Sequence, residues 1–441
     1  VRKSGHPLID AAPSGWRLAT VDEVKSSERH SCVAGPFGSS ISSKFFTSSG
    51  VPIIRGSNLT ADLDRFVADK FAFISYETAA RFSAQTVRAG DLVFTCWGTI
   101  GQVGLIPQDG PFDHYVISNK QLKLRVDTDI LDPLFAFYFF AAPETVQYVR
   151  DRAIGSAVPG INLGILKALP VLAPPLNTQR RIASILGAYD DLIEVNRRRV
   201  SVLEEMARGL FEEWFVRFRF PGHENVPIVD TPDGPLPEGW RWGRAKDLVD
   251  FDPKTKVPKD GDKPFVPMGQ LDTTSSLIAP FEVRSGNSGA KFQNGDTLFA
   301  RITPCLENGK TGIVRGLPAP EGHGFGSTEF IVMRGSRAGP AFTYCLSRTR
   351  SFRDHARSSM SGASGRQRAR TESVAAFELP VPLSDETLEQ FETVAWPMLQ
   401  QVGVSGEANL RLAASRDLLL PRLISGQLSV ETAERELEAA A

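Results

Sequence analysis

The chain has 441 residues, 41% of them hydrophobic and 23% charged, with a formal net charge of −1, the balance of an ordinary globular protein of two or three domains. That charge does not announce a nucleic-acid binder, so any basic surface must be local. No apolar run reaches the roughly 18–20 residues that span a bilayer, and no basic start leads into an apolar stretch, so a cytoplasmic protein is expected. The chain opens on Val1 rather than Met, which suggests an unusual start codon or a trimmed start. Cys32, Cys96, Cys305 and Cys345 form no CxxC pair and the histidines are scattered, which speaks against structural zinc and for reduced thiols.

PSGWRLATVDEV (residues 13–24) opens a segment in which the turn clusters TSSGVP, RAGD and PQDGP separate short β-branched and aromatic runs, the pattern of a strand-rich α+β globule. Within it AGDLVFTCWGTIGQVGLI (89–106) reads as strand, loop, strand. ALPVLAPP (168–175) leads into a long helix with Asn177 as its expected N-cap. Ile182, Leu186, Tyr189, Ile193, Asn196, Val200, Leu203, Ala207, Leu210 and Trp214 follow in steps of four and three, a sustained heptad seam.

The order then starts again. PEGWRWGRAKDLV (237–249), NGDTLFARITPCLENGKTGIV (294–314) and ELPVPLSD (378–385) echo those three segments in the same sequence, so the chain is a tandem of two related halves. A second helix carries Leu388, Phe391, Ala395, Met398, Val402, Ser405, Asn409, Leu412, Leu419 and Leu423 on its seam, with Arg416 among them. Pro397 is expected to kink or break it, and Gly403 and Gly406 to weaken it. The two helices should pack antiparallel, with Asn196 and Asn409 fixing register. The tail ETAERELEAAA reads as a frayed acidic helix end.

PCLENGKT (304–311) differs from the phosphate loop GxxxxGKT only in Pro304. A phosphate loop needs a helix directly after Lys-Thr, whose N–H groups and dipole hold the anion. Here GIV follows, which is strand-like, and GKTGIV occupies the place of GQVGLI in the first half. The segment therefore reads as a strand–loop–strand tip, with nucleotide hydrolysis as the rival reading.

GSAVPGINLGILKALPVLAPPLNTQRRIASIL, the paired GWR openings, the GD…G…G segments and the LLLPRLISGQL ending make the chain resemble the specificity subunits of type I restriction-modification systems, over nearly its whole length and in both halves. The resemblance implies an α+β protein with two target-recognition domains, 1–171 and 221–382, separated by two long antiparallel coiled-coil helices, 172–220 and 383–441. Each domain would read one half of a split, asymmetric DNA target. The helices would bind two adenine methyltransferase subunits, and restriction (translocase) subunits would join for cleavage. S-adenosylmethionine belongs to the methyltransferase, and ATP and Mg to the restriction subunit; this chain is expected to bind no cofactor or metal and to have no catalytic residue. Its only Pro-Pro pair lies in APPL, outside any amino-methyltransferase motif. The rivals are a two-headed protein-binding scaffold and the same module in a modification system outside type I.

The strongest local charge signal is RTRSFRDHARSSMSGASGRQRAR (348–370), with seven arginines and one aspartate, a composition suited to phosphate contact. Arg366, Gln367, Arg368 and Arg370 are candidates there. In the milder hinge of the first half they are Arg150, Arg152, Ser156 and Asn162. Side chains able to pair with base edges are Arg55, Ser57, Asn58, Thr95, Trp97 and Thr99 in the first half. In the second they are Gln270, Arg301, Thr303, Asn308 and Lys310. Ile185, Leu192, Val195, Val202, Met206, Phe211 and Phe215 form a second apolar stripe on the first helix, which one facing helix cannot cover and a partner would. The run from Arg197 to Arg199 lies between acidic pairs and reads as a solvated surface.

Overall fold

A computed structural model describes the chain except residues 1–3, 39, 61, 156–157, 319–321, 363–365 and 441, and gives no side chains for 437–440. Contacts divide it into two units, Val1–Leu192 with Arg411–Ala441, and Ile193–Leu410. The cut falls inside both long helices, so each unit holds one globule and part of each helix, where the sequence suggested separate globule and helix segments.

Within the first unit, Arg17–Thr20 pairs with Pro170–Ala173. A four-stranded sheet runs in the order Cys32–Ala34, Gln121–Leu124, Leu92–Thr95, Val103–Leu105. The second unit repeats both: Trp240–Arg244 pairs with Glu378–Pro382, and the sheet order is Val249–Phe251, Phe330–Gly335, Thr297–Ala300, Thr311–Ile313. Each unit adds a second sheet, five-stranded in the first and four-stranded in the second. The expected α+β duplication is therefore built strand for strand around the GD segments.

Each globule also buries one short helix, Pro133–Ala141 and Pro340–Arg348. The first is apolar on every side: Phe135, Phe137, Tyr138, Phe139 and Phe140 are all buried, as a helix through a core must be. Pro133 sits at its first position and the Asp132 carboxylate accepts from the N–H of Leu134 and Phe135 at 3.0 and 2.9 Å, satisfying orphan donors. Its counterpart starts at Gly339 without a side-chain cap of its own. Glu392, from the second long helix, instead accepts from Ala341 and Phe342.

The long helices are Leu176–Phe211, continued by a π-helical turn Glu212–Val216, and Glu386–Ile424. All the seam residues expected on them are buried or half-buried. Between the two, Asp190 pairs with Arg416 in the first unit; in the second Asn196 donates to Asn409 at 2.9 Å and Phe211 meets Phe391. Numbers rise on one side as they fall on the other, so the packing is antiparallel. Arg416 tolerates its seam position because Asp190 neutralises it there. No helix of the described residues is long and apolar enough to cross a membrane.

Four local expectations are corrected. The second helix runs through Pro397 unbroken, because Ala395, Leu399 and Val402 are fully buried on either side and their packing outweighs one missing hydrogen bond. Gly403 and Gly406 lie against the globule: a Cβ would come within 2.8 Å of Arg315 Cδ and 2.6 Å of Leu277 Cδ2, so those side chains would have to move. Asn177 lies inside the first turn, which begins at Leu176. The tail forms a helix, Val430–Ala440, anchored by Arg181 on Glu431 and Glu434 at 2.6 and 2.5 Å.

His6 is fully buried between Phe139 and Tyr148, with ring centroids 5.5 and 4.6 Å away, and neither ring nitrogen has a partner among the described residues. Burial first, and Arg152 second, lower its pKa to about 4 from 6.5. Between those values the unfolded chain binds a proton that the folded chain refuses, so stability is full above about pH 6.5 and falls as pH drops towards about 4. The unfolding free energy of the wild type should therefore fall relative to that of His6→Phe as pH drops through that window, by on the order of 3 kcal/mol; a constant difference would mean that the ring titrates freely.

Candidate nucleic-acid interface

In both units a GD turn launches the strand–loop–strand. The carboxylate of that turn is buried and grips a guanidinium on a neighbouring strand through two bonds. Asp91 takes Arg125 Nε and Nη2 at 2.7 Å each, and Asp296 takes Arg334 Nε and Nη2 at 2.7 Å each. The same carboxylates accept backbone N–H groups from Arg88 and Gln293 at 3.0 and 2.8 Å. Bidentate, charge-assisted bonds of this kind set angle as well as distance, so each fixes the direction in which its tip leaves the sheet.

At the first tip Trp97, Gly98 and Thr99 are exposed, with Gly98 and Gly101 at φ +87° and +99°. Trp97 pairs with Gly160, Ile154 also pairs with Gly160, and Ile161 N donates to Cys96 O at 2.9 Å. A Cβ on Gly160 would lie 2.3 Å from the Trp97 ring; the glycine lets the hinge pass beneath it. The second unit repeats the arrangement. Ile302 pairs with Arg368, Ser361 also pairs with Arg368, and Thr303 N donates to Gln367 O at 3.1 Å. Tip and hinge, far apart in sequence, thus form one surface in each unit.

Several expected contact residues fall on these surfaces. Arg55, Thr95, Trp97 and Thr99 line one cleft in the first unit. Arg301 and Thr303 lie beside Arg366, Gln367, Arg368 and Arg370, of which the last four are exposed, as is Asn308. Ser57 is exposed near Arg55. Ser156 lies outside the described residues.

Others have internal work that the sequence hid. Asn58 is fully buried and donates to the carbonyls of Val67 and Asp69, so it is a structural residue and not a base reader. Thr95 is 3% exposed, with its hydroxyl on Gln102; it forms the cleft floor. Asn162 caps the helix Leu163–Ala168 through Ile165 N at 2.9 Å. Arg150 reaches the Ile100 carbonyl, and Arg152 lies 3.2 Å over the Tyr148 ring. Gln270 donates to Pro280 O, and Arg368 is held by Glu329 at 2.6 Å, which keeps the Glu329 carboxyl below its usual range.

The arginine cluster divides the same way. Arg348 donates to the carbonyls of Thr273, Gly309, Ser275 and Thr311, and Arg353 to those of Leu306 and Ser347. Both brace the second tip from within. Arg350 and Arg357 share Asp354. Arg366 and Arg370 are the exposed cations of the segment with no side-chain partner among the described residues.

On the first long helix Leu192, Val195, Val202 and Met206 are each at least 50% exposed, whereas Ile185, Phe211 and Phe215 are buried. Ile185 belongs to the first unit's core, and both phenylalanines pack on Phe342 and Phe391. The chain's own globules therefore cover the ends of the stripe and leave its middle open.

Lys310 is followed by a strand, Thr311–Ile313, paired with Thr297–Ala300, and its Nζ donates to Met268 O at 3.0 Å. The helix dipole and N–H groups of a phosphate loop are missing at this position. Lys310 is a loop brace and not the exposed contact expected of it. Among the described residues no three His, Cys, Asp or Glu side chains are grouped to hold a metal.

A family model described as type I restriction modification DNA specificity domain matches residues 38–205. The MjaIX type I restriction enzyme specificity subunit of Methanocaldococcus jannaschii is 22% identical over 251 residues, 57% of this chain and 55% of that protein. The EcoEI specificity subunit of Escherichia coli is 29% identical over 212 residues, 45% of this chain and 35% of that protein. The chain thus spans about half or less of the length of these relatives. The S subunit of a type I restriction-modification system from M. genitalium matches in fold, with a TM-score of 0.56 at 14% identity over 92% of this chain and 96% of that one.

If Lys310 braces the loop, equilibrium dialysis with Mg-ATP at millimolar concentration should show no saturable binding. Saturable binding that Lys310→Ala removes would reinstate the nucleotide reading.

Proposed function

We propose that this chain, a relative of type I restriction enzyme specificity subunits, selects the DNA sequence at which a partner methyltransferase acts and performs no chemistry itself. The observation that carries this is the tip-and-hinge surface built twice on one frame from different side chains. Trp97 and Thr99 stand at one tip and Arg301, Thr303 and Asn308 at the other. Two readers with different side chains suit a bipartite, asymmetric target, one half-site to each. Arg366 and Arg370 supply phosphate contacts beside the second tip, which position the reader without specifying bases. The open stripe of Leu192, Val195, Val202 and Met206 suits apolar helices of methyltransferase subunits. S-adenosylmethionine would be held by that partner, and ATP and Mg by a restriction subunit.

A base-modification map of host DNA with the gene intact and deleted tests this reading. A split motif carrying methyladenine on both strands should vanish on deletion, and exchanging loop residues within 89–106 should alter one half of it. Alteration of both halves would contradict separate readers. No change on deletion, together with failure to co-purify a methyltransferase, would favour a protein-binding scaffold.

The assembled complex also gives a salt test. Arg366→Ala with Arg370→Ala should weaken binding to every DNA sequence alike and lower the slope of log K against log salt by about 0.9 for each phosphate that is no longer neutralised. An unchanged slope would remove these arginines from the interface.

A further inference from the structure

The first unit carries an aromatic and basic cleft whose walls come from several separate segments. Its volume is about 530 Å³, and its walls include Phe46, Arg55, Trp97, Thr99, Asn119 and Lys120. Phe46 and Trp97 are 37% and 40% exposed. Phe46 is held by the edge-strand pairing of Phe46 with Ile74, and Trp97 by its pairing with Gly160. Asn119 Nδ2 donates to Gly38 O at 2.9 Å, tying to the rim a loop whose Phe37 is 95% exposed. Rings left partly in water forgo part of the burial energy that a core would give them.

The charge of the lining says what fits. It holds two cations, Arg55 and Lys120, several hydroxyl and amide groups, and no Asp or Glu. Arg55 is anchored on Lys70 O at 2.8 Å, while Lys120 is exposed with no side-chain bond among the described residues. Two other grooves hold acids and are not of this kind: one beside the second long helix is lined by Asp272 and Glu407, and one in the first unit by Glu28 and Asp127. Cations among aromatic rings, without acids, suit an anionic polymer of flat bases: the rings pack on base faces or thymine methyls and the cations meet phosphates or base edges.

We infer that this cleft is where the first half-site is read, with Phe46 and Lys120 as specificity-determining residues beside Trp97. The inference rests on the DNA-specificity reading above and adds to it the residues and the ligand surface: duplex DNA, touched at base rings and methyls by Phe46 and Trp97 and at acceptor groups by Lys120.

The test is the modified-base map of cells carrying the wild-type chain, Phe46→Ala, Lys120→Ala, or Tyr76→Ala, a control in which an exposed ring outside the cleft is removed. Soluble protein levels are measured beside each map. Phe46→Ala and Lys120→Ala should make positions in one half of the motif degenerate, or reduce modification of cognate sites about tenfold, while the other half and the Tyr76→Ala map stay as in the wild type. If both variants keep the motif as sharp as the wild type, the cleft is not the reader, and occupation by a protein partner replaces this inference. If Phe46→Ala lowers the protein level, Lys120→Ala decides alone, since its side chain holds nothing in the fold. If deletion of the gene leaves the map unchanged, the DNA-specificity reading itself has failed, an outcome distinct from failure at the cleft.

Discussion

Each globule is fastened to the first long helix by a buried tyrosine hydroxyl meeting a helix carboxylate, and the placing of each tip depends on that joint. Tyr138 donates to Asp190, and Tyr344 donates to Glu204 at 2.7 Å. Both tyrosines lie on the buried short helix of their globule, and burial raises both hydroxyls well above their usual range, so they stay protonated donors. A buried carboxylate is costly unless its lone pairs are filled. Asp190 is completed by Arg416 and faced by Arg65, and Glu204 accepts Ser276 N–H as well. Arg315 nearby is half-buried, and loss of solvent pulls it down to about 10, yet it remains charged at neutral pH. It donates to Ser276 and Leu399, so the globule and the second helix share the joint. Such a network tolerates one arrangement only, because any shift leaves a buried charge unpaired.

From that joint a second rigid element leads outward. The short helix packs on the sheet, the sheet carries the Asp–Arg clamp, and the clamp aims the tip. Loops on a surface are free to vary while the scaffold under them is held, and the two units show this directly. Their clamps agree to the level of individual atoms, whereas Trp97 in one tip is matched by Ile302 in the other. A duplicated frame can thus carry two different tips without refolding.

How much of this could be read from the residues depends on distance along the chain. The duplication, the strand–loop–strand tips and the heptad seam rest on local periodicity, and the structure builds them where the pattern placed them. Functional assignments of polar residues fared differently. Asn58, Gln270, Lys310, Arg348 and Arg353 look like surface donors in the sequence, but each one's partner is a backbone carbonyl brought near by tertiary folding. Pro397 and the glycines of the second helix show the same limit, since propensity describes a helix in water and these positions pack against a globule. The cleft was legible only in part. Arg55, Thr95, Trp97 and Thr99 stand out in the sequence, but Phe46 and Lys120 belong to other segments that only folding brings to the same walls.

The arginine-rich segment shows why composition overstates an interface and geometry corrects it. Arg348 and Arg353 spend their charge inside the fold, Arg350 and Arg357 share an aspartate, and Arg368 is matched by Glu329. What remains for an anion is Arg366 and Arg370, on either side of a strand bridge that ties the hinge to the tip. The paired arginines are not wasted. A guanidinium locked to Glu329 sets the height of the hinge beside Arg301 and Thr303, so the two exposed cations stand at a fixed offset from the tip side chains. On the proposed reading, positioning and base contact are then separate tasks of neighbouring residues.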